Sequence, residues 1–150
     1  MPTAYTQNYY HLVFSTKGRT NFIKPELESR LYAFIGGIVR DLRCQLLGIN
    51  GMPDHVHLLI RYQADLSISE MVRHIKARSS KWVNETISSP DHFSWQEGYG
   101  GFTVSQSAVP EVEAYIVRQK EHHKRQDFKG EFLELLRLHG IEFDEREVFR

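Results

Sequence analysis

His55-Val56-His57-Leu58-Leu59-Ile60-Arg61-Tyr62, entered through Met52-Pro53-Asp54, is the stretch on which the fold turns. Successive side chains of a strand point to opposite faces. Val56, Leu58 and Ile60 therefore form one side, and His55, His57, Leu59 and Arg61 the other. The apolar side demands a covering layer, while two imidazoles project together from the opposite side. Two neutral imidazoles on a rigid strand make half of a divalent-metal site. On its own the pair is a weak signal. The metallo-hydrolase run His-x-His-x-Asp-His is absent, since Leu58, Leu59 and Ile60 follow His57.

Upstream, Asn8 to Thr16 is aromatic and β-branched and reads as a first strand, with Lys17-Gly18-Arg19 turning the chain. Pro25 suits the first position of a helix in which Leu27, Leu31, Phe34, Ile38 and Leu42 recur at helical spacing, with Gly36-Gly37 interrupting it. Gln45 to Gly51 gives a short second strand before the Met52-Pro53-Asp54 turn. Downstream, Ser67 and Glu70 form a capping box for a helix carrying Ile68, Met71, Ile75 and Trp82, ended by Ser88-Ser89-Pro90-Asp91. Phe93 to Ser105 reads as strand, glycine-rich loop, strand. Pro110, with Glu111 and Glu113, opens a helix bearing Val112, Ile116 and Val117, then Tyr115, Gln119 and His122. Phe132 to Leu138 is a last short helix closed by Gly140, and the tail from Ile141 has no strong pattern.

This order predicts an α+β, ferredoxin-like antiparallel sheet with helices on one face, plus a C-terminal helix carrying the tyrosine. The Val56 side packs under the helices and His55 and His57 lie on the open face. Residues 1–150 read as one domain.

Hydrophobic content of 41% and charged content of 25% are those of an ordinary globular protein. Nineteen Lys and Arg balance nineteen Asp and Glu, which counts against a nonspecific nucleic-acid coat. A local patch is still available, because residues 71 to 82 contain Arg73, Lys76, Arg78 and Lys81 and no acid, though a solvated helix face would look alike. Cys44 stands alone, so no intramolecular disulfide forms, and no apolar run reaches bilayer length. No secretory signal is evident at the amino terminus, and a cytoplasmic location is expected. No phosphate loop of the Gly-x-x-x-x-Gly-Lys kind is present, so no nucleotide cofactor is expected.

Tyr115 offers a nucleophilic hydroxyl, and Gln119, four residues on, shares its helix face. A metal-bearing strand facing such a helix points to phosphodiester chemistry. At this conjunction the chain resembles the single-tyrosine HUH transposases, TnpA-like and IS200-like, of small bacterial insertion sequences. The matching pieces are Tyr10-His11-Leu12-Val13-Phe14-Ser15-Thr16-Lys17, Met52-Pro53-Asp54-His55-Val56-His57, Trp95-Gln96-Glu97-Gly98-Tyr99 with Val104-Ser105, and Tyr115-Ile116-Val117-Arg118-Gln119-Lys120-Glu121-His122-His123. They cover most of residues 8 to 125 in order.

The resemblance implies that His55, His57 and Gln119 hold Mg²⁺ or Mn²⁺. It implies that Tyr115 attacks a single-stranded DNA phosphodiester, giving a 5′-phosphotyrosine and a free 3′-hydroxyl. It further implies a homodimer that recognises hairpin ends. All three protein ligands are neutral, so the DNA phosphate would supply the charge; weak metal binding is expected without DNA, with Mn²⁺ at least as effective as Mg²⁺. Weaker candidates are His122 and the four basic residues as phosphate contacts, His11 beside the metal, and Trp82, Trp95, Tyr99 and Phe102 as stacking platforms, the two tryptophans being better read as core. Two other readings are a metal-dependent hydrolase using the His-x-His pair, for which Tyr115 is dispensable, and a noncatalytic nucleic-acid-binding module, for which metal is irrelevant.

Overall fold

The structure is a computed structural model that describes residues 4–149. Its sheet has four strands: β1 (Tyr9–Ser15), β2 (Gln45–Met52), β3 (His55–Arg61) and β4 (Gly100–Val104). They lie in the order β2-β3-β1-β4 and pair antiparallel throughout. Between them run α1 (Pro25–Asp41) and α2 (Ile68–Thr86). This is the ferredoxin-like arrangement that the order of elements predicts. The capping box also forms, with the Ser67 hydroxyl accepting from the Glu70 amide.

Alternation in β1 and β3 creates two cores. On one face Leu12, Phe14, Val56, Leu58 and Ile60 pack beneath Leu31, Ile35 and Val39 of α1 and Met71, Ile75 and Val83 of α2, all buried. Burying one such aliphatic side chain contributes about 1.5–3 kcal/mol, so this layer dominates stability.

The opposite face is not open, contrary to the expectation from sequence. After β4 come α3 (Val109–Val117), α4 (Gln119–His122), α5 (Phe128–Leu138) and α6 (Glu145–Val148). Phe128, Phe132 and Leu136 of α5 pack on Val13 and Phe102 and close that side. Helices therefore cover both faces, and the tyrosine's helix, α3, is followed by three more. The physical reason is an amphipathic stripe: residues 128, 132 and 136 recur every four, and Asp127 caps the start by accepting from the Gly130 amide. Gly100 lets α5 come close, because a Cβ there would stand 2.5 Å from Phe132 Cε2.

Other departures are local. The segment expected as a strand from Phe93 forms a single bridge, Thr16 with Trp95. Two backbone bonds, Gln96 N–H to the Ser15 carbonyl and Lys17 N–H to the Ser94 carbonyl, hold it, and side chains add to them: Gln96 Oε1 accepts from the Ser15 amide at 2.7 Å, and Trp95 Nε1 donates to Ser79 Oγ at 2.9 Å. Trp95 is thus core, and Trp82 stacks on Phe34 with ring centroids 4.8 Å apart. Among the described residues no helix is long and apolar enough to cross a membrane.

Candidate active site

β3 brings His55 and His57 to one face because they are two residues apart, and its partners bring neighbours to the same face. His57 lies opposite Val13 on β1 and Asn50 on β2, and His11 is one pleat along from Val13. The tight β2-β3 connection needs Gly51, where a Cβ would fall 2.1 Å from the His55 carbonyl oxygen. Asp54, in that turn, meets His55 Nδ1 at 2.7 Å and so aims Nε2 inward.

The other wall is α3 and α4. Sequence periodicity predicts one helix through Tyr115 and Gln119, and the structure breaks it at Arg118. At that break Asn50 Nδ2 donates to the carbonyls of Ile116 and Val117, at 3.0 and 3.1 Å. Lys120 Nζ reinforces the joint by donating to Asn50 Oδ1, the Gly51 carbonyl and Glu28. The edge of β2 thereby sets where the tyrosine's helix ends, and Tyr115 and Gln119 still converge on one point.

That point is the carboxylate of Glu131 on α5. Oε1 meets His57 Nε2 and His123 Nε2, each at 2.9 Å, and His55 Nε2 at 3.4 Å. Oε2 accepts from the Tyr115 hydroxyl and, at 3.1 Å, from Gln119 Nε2. Gln119 Oε1 in turn stands 3.4 Å from His55 Nε2. His55 and His57 are wholly buried and Glu131 is 1% exposed. Donor atoms of His55, His57, His123 and Glu131 all lie within 4.8 Å of one another, and three imidazoles with a carboxylate suit a divalent transition ion.

Electrostatics follow from this packing. Burial pushes His57 down to about 4 despite the pull of Glu131, so it is neutral at pH 7. Burial and the neighbouring His57 take His11 down to about 3. Burial opposes the charged form of His55, but hydrogen bonds to Asp54 and Glu131 outweigh it and raise that group. Glu131 is buried too, yet hydrogen bonds from His123, His55 and His57 hold it far below the carboxylate range. Burial and the adjoining carboxylate of Glu131 raise Tyr115.

A neutral His57 has one ring proton, and His11 Nε2 sits 2.8 Å from its Nδ1. Without an ion that proton serves the Nε2 contact to Glu131 Oε1 at 2.9 Å; were it carried on Nδ1 and donated to His11 instead, Nε2 would have the free lone pair that a metal ligand requires. His11, read from sequence only as a neighbour of the metal, is the group placed to accept the Nδ1 proton in that tautomer.

Tyr115 is half-buried and its ring centroid is 5.8 Å from that of His57. With His11, Phe102, Val112 and Leu135 it lines a groove of about 610 Å³, while its hydroxyl is held by Glu131. His122 is also half-buried; its Nε2 lies 3.4 Å from Glu131 Oε2 and has no hydrogen-bond partner among the described residues.

The basic residues of α2 lie on the helix layer across the sheet from the histidines. Lys76 is occupied: its Nζ donates to the carbonyls of Gln96, Glu97 and Gly98, and burial lowers it to about 8. Arg78 pairs with Asp41 at 2.7 Å, Lys81 reaches Glu85 at 3.9 Å, and Arg73 is exposed.

Two residues escaped sequence reading, His123 and Glu131. His123 closes the tyrosine motif without an assigned role, and Glu131 lies beyond every motif. A signal existed: Glu131 sits between Phe128 and Phe132 on the buried stripe of an amphipathic helix, where a carboxylate is out of place.

Comparison with known proteins gives concordant matches. The family model described as "Transposase IS200 like" matches residues 4–119. The ISDra2 transposase TnpA of Deinococcus radiodurans is 24% identical over 119 residues, spanning 75% of this chain and 84% of the relative. A crystal structure assigned as a transposase of Deinococcus radiodurans R1 superposes with a TM-score of 0.65 at 24% identity, covering 79% of this chain and 95% of the other. A REP-associated tyrosine transposase bound to a REP hairpin superposes with a TM-score of 0.63 at 15% identity, covering 82% and 73%.

Proposed function

The chain belongs to the IS200-like transposase family, and we propose that it nicks and rejoins single-stranded DNA through a 5′-phosphotyrosine on Tyr115. The observation that carries this reading is the meeting of Tyr115, Gln119, His55 and His57 on one buried carboxylate within a single chain.

His55, His57 and Gln119 hold a divalent ion, Mg²⁺ or Mn²⁺, which when bound polarises the scissile phosphate and offsets its charge. Tyr115 Oη attacks phosphorus as the bond to the 3′-oxygen breaks; the 3′-hydroxyl leaves, and the reverse attack reseals a strand. A free phenol titrates near 10 and is a poor nucleophile at neutral pH, and burial here raises Tyr115 further. Tyr115 therefore depends on a polarised phosphate. Phosphodiester energy is kept in the phosphotyrosine, so no nucleotide is consumed.

The substrate is single-stranded DNA with hairpin ends, a reading supported by the hairpin-bound relative. The whole chain acts as one domain and as a homodimer. Arg73, Lys76, Arg78, Lys81 and His122 are the proposed phosphate contacts. Lys76 must release the carbonyls of Gln96 to Gly98 to serve.

The test is incubation with hairpin-bearing single strands and with the matching duplex, in Mg²⁺ or Mn²⁺. A slow-migrating covalent species is expected from single strands alone and is lost in Tyr115→Phe. An adduct that persists in Tyr115→Phe, or forms equally on duplex, defeats the proposal.

A further inference from the structure

Glu131 poses a problem that the motif residues do not explain. Removing a carboxylate from water costs several kcal/mol even after relaxation. Phe128, Phe132 and Leu136 already dock α5, so an apolar side chain at position 131 would serve packing better. Hydrogen bonding already saturates the carboxylate, with His57 and His123 on Oε1 and Tyr115 and Gln119 on Oε2, and leaves the approach of His55 unexplained. One carboxylate oxygen has about two lone-pair sites, yet Oε1 faces three imidazole nitrogens, of His57, His123 and His55, at 2.9, 2.9 and 3.4 Å. Three ring nitrogens crowded on one anionic oxygen is a donor set whose members share a cation. The second oxygen is held in place by the Tyr115 hydroxyl and by Gln119 Nε2.

We propose that Glu131 and His123 are further ligands of the ion, completing with His55 and His57 a site of three imidazoles and one carboxylate that binds Mn²⁺ without DNA. It rests on the preceding reading that His55 and His57 hold an ion. It reverses the expectation of weak binding in the absence of substrate, because that expectation assumed only neutral ligands. The missing negative charge is in α5, eight residues beyond His123. The imidazole-rich set favours Mn²⁺ over Mg²⁺, which prefers oxygen donors and gives up water reluctantly. Because Glu131 also binds the Tyr115 hydroxyl, the same carboxylate fixes the distance between ion and phenol.

The experiment is titration of the DNA-free full-length protein with Mn²⁺, followed by calorimetry and by loss of the free-Mn²⁺ resonance signal, with Mg²⁺ as competitor. Wild type binds one Mn²⁺. Loss of an outer-sphere partner alone typically costs about 10–100-fold in metal affinity, so Glu131→Gln and His123→Asn each lower it by roughly tenfold or more. Glu85→Gln, an exposed charge change on α2, leaves it unchanged. Circular dichroism of each metal-free variant verifies folding, and His123→Asn carries the test where Glu131→Gln does not fold. Wild type that takes up no Mn²⁺ without DNA, or Glu131→Gln that binds as tightly or tighter, overturns the proposal; in the latter case the carboxylate merely plugs the site. His57→Ala separates the two levels. Loss of Mn²⁺ in His57→Ala but not in Glu131→Gln defeats this inference alone, while full binding in His57→Ala defeats the ion-holding pair itself.

Discussion

The two faces of the sheet are built from alternate residues of the same strands and do opposite work. Beneath α1 and α2, Leu12, Phe14, Val56, Leu58 and Ile60 make a dry layer with no chemistry. Beneath α3 to α5, His11, His55, His57, Gln119 and Glu131 are equally buried, yet every one of them is polar and hydrogen-bonded. Burial alone therefore does not mark a structural core. What separates the faces is whether buried atoms carry lone pairs and protons that converge on one another. The apolar face makes the platform rigid, and that rigidity lets two imidazoles be held at fixed spacing on the other side.

The sharpest way to separate the two is Leu58→Ala. It should cost about 2–5 kcal/mol of stability by urea unfolding, with Mn²⁺ affinity of the folded protein unchanged. A large drop in affinity would mean that the faces are not independent. Next comes Gly100→Ala, which drives a methyl group against Phe132 and lifts α5. Overpacking of this kind costs about 1–3 kcal/mol, and here it should weaken metal binding as well, because α5 carries Glu131. An unchanged affinity would show that the polar face tolerates a shift of its roof.

The smallest effect is that of mild acid on the metal-free protein. His11 and His57 are held below their ordinary value of 6.5, so the stability they contribute is complete above pH 6.5. It is lost as pH falls toward about 4 for His57 and about 3 for His11, because the unfolded chain takes up protons first. His55, shifted upward, takes up its proton above pH 6.5, so it adds stability as pH falls to that point and nothing further below it. Below pH 6.5 the two lowered groups act without that opposition, and stability falls as pH drops from 6.5 toward 5. A urea midpoint that is flat or rises over that interval would contradict neutral, buried imidazoles on this face.

Much of this was legible in the chain. Alternation in β3, the capping box at Ser67 and Glu70, and the helical spacing from Leu27 to Ile38 carried enough local signal to set element types and the βαββαβ order. His55, His57, Tyr115 and Gln119 were legible because their types and spacing are chemically unusual. The roof was not. Residues 128–138 hold an apolar stripe, but no local rule says which surface such a stripe will cover. The face expected to be open is therefore the one that α5 closes. The break at Arg118 was also out of reach, since its partner is Asn50, 66 residues from Ile116. His123 and Glu131 went unassigned for the same reason: each is ordinary until its neighbours are known.

By itself the sequence determined which side chains stand two apart on a strand and four apart on a helix, because strand and helix periods are properties of the local backbone. Only the tertiary structure decided that a glutamate 74 residues from His57 would enter the same pocket. Docking of α5 is governed by shape and apolar burial between distant segments, and a carboxylate carried in on that surface takes its meaning from whatever it meets.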